Sequence, residues 1–166
     1  ANDVFSSAYR GRLFAVFRDP VERAISMFYL QVADWEQTYN AALKNMTLDE
    51  FARSSHVEDD WMVRRLTGAL RGQLTDDHLK AAMDVVRNKF LVGLLSAPER
   101  TLDRFEKFFG WKYKVNPPKQ EKCRERLMNT GANKGTNRAD VDISSESDAL
   151  EILAYRNQMD IRLYQY

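Results

Sequence analysis

Arg18 and Ser26 stand eight positions apart in the string Phe17-Arg18-Asp19-Pro20-Val21-Glu22-Arg23-Ala24-Ile25-Ser26. A guanidinium offers a phosphate a planar fork of charged donors, and a hydroxyl can add one more. The pair can therefore form a phosphate site. The residues alone leave a second reading open, in which Arg18 pairs with a carboxylate and Ser26 simply occupies a helical position.

The surrounding sequence supplies elements that could position such a site. Leu13-Phe14-Ala15-Val16-Phe17 is a continuous apolar run, which suits a strand buried on both faces of a parallel sheet. Asp19 suits a helix cap and Pro20 the first helical position. Val21, Ile25, Phe28 and Val32 then recur at helical spacing. Arg18 is thus expected at the carboxyl end of a strand, where open α/β sheets bind ligands. Further along, Thr47 with Glu50 has capping-box spacing, and Trp61, Arg64 and Arg65 fall in a helical turn ending near Gly68. Thr75 starts a helix with Leu79, Met83 and Val86 on one face. Residues 90–95 read as a second buried strand. Pro98 opens a helix that Gly110 ends. Residues 112–142 are polar and read mostly as a long loop. Ser145 caps a single last helix. Strands alternating with helices give an α/β fold, a parallel sheet flanked by helices, helix-rich and incomplete; further strands are expected before Ala1.

The string Arg-Asp-Pro-x-x-Arg-x-x-Ser after an apolar strand resembles the 3′-phosphate motif of sulfotransferases that use 3′-phosphoadenosine 5′-phosphosulfate (PAPS). Phe28-Tyr29 continues the pattern. Leu91-Val92-Gly93-Leu94, the helix ending Phe105-Glu106-Lys107-Phe108-Phe109-Gly110-Trp111, and the stretch from Asn157 to Tyr164 agree in order. The last is similar to the closing helix of the Golgi carbohydrate branch, typified by heparan sulfate 2-O-sulfotransferase. The resemblance implies a P-loop-like sulfotransferase fold over residues 1–166, truncated at its N-terminus. It implies that Arg18 and Ser26 bind the donor's 3′-phosphate, and that Lys134, Gly135 and Thr136 belong to a loop closing over it. The reading of that stretch as a solvated surface loop stays equally open. The resemblance further implies a carbohydrate or other hydroxyl acceptor. The full-length form would be a type II membrane glycoprotein of the Golgi lumen, anchored by a segment outside this chain. The family's Pro-Lys-x-Gly-Thr-like 5′-phosphosulfate loop is not present in the sequence, nor is a GxxxxGK[ST] loop. The family's general base precedes the Arg…Ser motif, and residues 1–17 hold neither His nor Glu. No catalytic residue is therefore identifiable, and the fragment alone is expected to be inactive.

Composition narrows the field further. With 25 basic and 24 acidic residues the net charge is +1, unlike the strongly basic balance of most nucleic-acid binders. One cysteine, Cys123, excludes an internal disulfide and a cysteine-rich zinc site, and two histidines are too few for an ordinary histidine cluster. No metal site is expected. His56 beside Glu58, Asp59 and Asp60 reads as a surface histidine in an acidic loop, and the adjacent carboxylates as solvent-facing rather than a metal pair. Trp61 and Arg64 either shape the acceptor side or, for Trp61, pack in the core. Asn45-Met46-Thr47 fits the glycosylation pattern. Two rival functions remain: a nucleotide kinase or other phosphate-binding α/β protein, and a non-catalytic interaction domain.

Overall fold

The computed structural model of the chain describes residues 13–33, 37–110, 117–129 and 147–166. Strands β1 (Leu13–Phe17) and β2 (Phe90–Leu94) pair in parallel, Leu13 opposite Phe90 and Phe17 opposite Leu94. Between them run α1 (Pro20–Val32), a 3₁₀ turn at Ala41–Leu43, α2 (Leu48–Arg53), α3 (Trp61–Thr67) and α4 (Asp76–Lys89). After β2 come α5 (Pro98–Phe109), α6 (Pro117–Asn129), α7 (Ser147–Arg156) and α8 (Gln158–Gln165). The fold is a helix-rich α/β arrangement around a two-stranded parallel sheet.

Helices cover the sheet from two sides. On one side α5 brings Phe105 and Phe109 against Phe14, with ring centroids 5.0 and 5.7 Å apart. Gly93 permits this approach, because a Cβ there would collide with Thr101 Cγ2. On the other side Phe17 and Val92 join a core of Met62, Val63, Leu74, Leu79, Ala82, Val86 and Leu163. A second core unites Ala24, Ile25 and Phe28 of α1 with Leu43, Leu48, Phe51, Ala52, Val57, Ala149 and Leu153. Each large side chain buried in these cores contributes roughly 1.5–3 kcal/mol.

The local capping chemistry follows the sequence closely. Asp19 Oδ1 accepts from the Val21 and Glu22 amides at 3.0 Å, with Pro20 in the first helical position. Thr47 and Glu50 form the capping box. At Thr75 the same arrangement closes through His78, whose Nδ1 accepts from the Thr75 amide at 3.1 Å.

Three expectations need correction. β1 is not buried on both faces: Phe14 and Val16 remain 51% and 48% exposed, since among the described residues α5 only partly covers their side. The stretch at 112–142 is not mostly loop, because α6 occupies Pro117–Asn129. It has prolines at its start and strong helix formers such as Lys119, Glu121 and Arg126, but no apolar stripe to reveal it. Arg124 fastens it to Asp103 and Glu106 of α5. Finally, the last helix is two helices, broken at Asn157. The expected cap Ser145 lies outside the described residues.

Candidate functional site

The β1–α1 junction presents the two residues singled out by spacing. Arg18 follows β1 directly, and its Nε donates to Glu22 Oε2 at 3.2 Å. Glu22 is in the first turn of α1 and Ser26 lies one turn further along the helix, while Arg18 precedes the cap at Asp19. The Arg18 side chain is largely covered, while Glu22 is 60% exposed. Arg18 thus has a carboxylate partner, as the second reading of the sequence allowed. A pair of this kind contributes only about 0.3–0.5 kcal/mol. A phosphate dianion is a stronger acceptor for the same fork. Lys134, Gly135 and Thr136 lie outside the described residues.

Around α3, the chain builds a second feature. A groove of about 460 Å³ is lined by Trp61, Arg64, Arg65 and Arg71 together with Glu58 and Asp59. Arg64 is locked in place: Nε donates to the Asp59 carbonyl at 2.9 Å, and Nη1 to the carbonyls of Ala69 and Gly72 at 3.1 and 3.0 Å. All three partners are neutral carbonyls, so the guanidinium charge is not cancelled by them. Arg65 reaches Glu58 only at 4.0 Å. Trp61 is half-buried; its side chain packs on the core around Met62, Val63 and Leu163, and its ring carries the Arg23 guanidinium 4.9 Å from its centroid. The indole thus packs against the core and also lines the groove.

Beneath the groove lies an arrangement that spacing did not reveal. Asp160 of α8 is fully buried, and its carboxylate accepts from the amides of Met62 and Val63 in the first turn of α3, at 2.7 and 2.8 Å. Asp60, the residue before α3, returns the favour: its Oδ1 accepts from the Met159 and Asp160 amides at 2.9 and 3.1 Å. Asn157, also fully buried, accepts from the Asp60 amide at 3.2 Å and donates to the Leu153 carbonyl at 2.9 Å. Asp60 adopts a left-handed backbone, φ 46°, which Asp tolerates better than most residues. Burial pushes Asp60 above the usual carboxylate range, against its backbone hydrogen bonds. Burial likewise pushes Asp160 up to about 6. Arg23 sits over this cluster. Its charged form is disfavoured by burial, partly offset by Asp160 and Glu58, and its Nε is buried without a hydrogen-bond partner. Asn157 and Asp160 have the spacing of a cap residue and the third position of a helix, but the Asn157 side chain does not cap α8, so that spacing does not point to the exchange with Asp60.

Of the acidic loop's adjacent carboxylates, Asp60 does not face solvent as expected: it is buried and caps α8, while Asp59 binds Arg156. His56 is exposed, with its own amide held by Ser54 Oγ at 3.1 Å. Among the described residues no group of three potential ligands comes together, and no helix is long and apolar enough to cross a membrane. Asn45 is exposed, and the Thr47 hydroxyl of its glycosylation pattern is engaged in the α2 cap. Comparison with protein-family models, with curated proteins and with solved structures finds no match to this chain.

Proposed function

We propose that this chain is part of a PAPS-dependent sulfotransferase, in which Arg18 and Ser26 hold the 3′-phosphate of the donor. The observation that carries the reading is the strand–turn–helix unit: Arg18 directly after a parallel strand, Asp19 capping, and Ser26 two turns into the helix that follows. Lys134, Gly135 and Thr136 would complete the donor contacts. The complete enzyme would pass a sulfonate to an acceptor hydroxyl of a carbohydrate. A base takes the hydroxyl proton, the new S–O bond forms in line, and the bond from sulfur to the donor's 5′-phosphate breaks. Arg18 and Ser26 would contribute alignment, by fixing the donor's far end. No residue of this chain is assigned the base or the 5′-phosphosulfate contacts. A Golgi lumenal enzyme with an N-terminal membrane anchor is the setting that the resemblance suggests.

The groove beside Trp61 is the acceptor side in this reading. A flat indole suits the apolar face of a sugar ring, and Arg65 and Arg71 on its walls favour an acceptor that already carries acidic groups. Titration with adenosine 3′,5′-bisphosphate tests the donor half of the proposal. Binding that depends on Arg18 supports it against the non-catalytic alternative. A nucleotide kinase would instead show a Walker-type loop in its complete sequence.

A further inference from the structure

Asp60 and Asp160 each cap the helix that the other belongs to or precedes, and both carboxylates are buried. Two like charges are thus held out of water at the joint between α3 and α8. The charged groups around them are few. Arg23 comes from α1, Glu58 and Asp59 from the loop before α3, and Arg64 from α3 itself. From α7, Arg156 is committed to Asp59; from α4, Asp76 pairs with Arg162 of α8. Of the cations, Arg23 bears directly on Asp160, yet its own contacts go to the Glu58 carbonyl at 3.4 Å and carboxylate at 3.7 Å. Arg64 bears on Asp60 while bonding only to carbonyls, so each buried aspartate has one cation near it and neither has a hydrogen-bonded one.

We propose that the α3–α8 joint is a proton-tightened latch, firmer when Asp160 is protonated and looser when it is ionised, which sets how rigidly α3 presents Trp61, Arg64 and Arg65 to the groove. The inference is independent of the sulfotransferase reading, since it rests only on the joint. Opening the joint returns Asp160 to water, where the ionised form is far better solvated than in the closed joint. Ionisation therefore favours opening. In the closed joint burial raises Asp160 from its ordinary 3.8 to about 6; Asp60 adds to the rise, while the Met62 and Val63 amides and Arg23 only partly oppose it. The sign follows from linkage. A closed-state value above the open-state value means that tightening is complete below about pH 4 and is lost as pH rises through about 6. Between pH 5 and pH 7 the opening constant should rise about tenfold.

Amide hydrogen exchange at Met62 and Val63 reads the latch, with rates corrected for the intrinsic pH dependence of exchange. The latch requires protection about tenfold lower at pH 7 than at pH 5, and a carboxyl carbon resonance of Asp160 that titrates near pH 6 in the parent protein. Asp160→Asn should remove the pH dependence, and Arg23→Gln should move the midpoint upward. Equal corrected protection at pH 5 and pH 7, or titration of Asp160 near 4, would overturn the proposal. Both parent measurements decide the matter even where Asp160→Asn does not fold. Retention of the full pH dependence in a folded Asp160→Asn variant would overturn it as well.

Discussion

Asp60 and Asp160 lie 100 residues apart in the chain, and the Asp160 amide donates to Asp60 Oδ1 at 3.1 Å. The Asp160 carboxylate in turn holds the first turn of α3. The two aspartates thereby tie the end of the chain to the segment that builds the groove. α3 has no side-chain cap of its own, and neither has α8, so each depends on the other's aspartate. Unmade hydrogen bonds at buried helix ends are costly, which gives this exchange its weight.

Asp60→Ala should therefore destabilise the fold by about 2–4 kcal/mol. It leaves the Met159 and Asp160 amides without an acceptor and puts a β-carbon residue with no local hydrogen bond at φ 46°. Asp60→Asn keeps one acceptor oxygen and tolerates the backbone, so it should cost clearly less. Urea unfolding at pH 7 measures both. Equal midpoints for the two variants would show that capping by Asp60 contributes little.

What the sequence revealed and what it hid divide along physical lines. β1, the Asp19 cap, the Thr47 box and the ends at Gly68 and Gly110 are written in a few neighbouring residues, and they were legible there. α6 was hidden because its fastening is an ion-pair contact from Arg124 to α5, not an apolar stripe. The exchange between Asp60 and Asp160 was hidden because no local rule joins residues so far apart. The break at Asn157 follows from it, since Asp60 takes the amides at the start of α8. For Arg18 the spacing showed both possible partners, and the structure supplies Glu22.

Gly93→Ala should destabilise by about 1–3 kcal/mol, because the new methyl meets Thr101 Cγ2 where β2 and α5 pack. Thr101→Ser deletes that methyl yet keeps the hydroxyl, which accepts from the Leu94 amide at 2.8 Å. The double variant should recover much of the loss. Thermal unfolding of the three variants supplies the cycle; additive losses would mean that the Gly93–Thr101 contact is not the cause.

The 166-residue chain should not transfer sulfonate by itself, because no residue in it matches the 5′-phosphosulfate loop or the base. Incubation with radiolabelled PAPS, a glycan panel and tyrosine peptides should leave all acceptors unlabelled. Turnover would show that the chain contains catalytic groups that the proposal does not recognise.

Calorimetric titration of adenosine 3′,5′-bisphosphate into the complete protein tests the donor site most directly. Hydrogen bonds to charged groups contribute roughly 1.5–3 kcal/mol each, so Arg18→Ala should weaken binding on the order of tenfold to a hundredfold or more. Ser26→Ala removes one neutral donor and should cost less. Arg18→Lys should recover only part, since an ammonium cannot reproduce the planar fork. Glu22→Ala frees the guanidinium and should leave binding intact or tighter, as the pair it removes has an exposed carboxylate and is weak. If a folded Arg18→Ala variant binds the bisphosphate as tightly as the parent, Arg18 serves only its pairing with Glu22, and the sulfotransferase reading loses its main support.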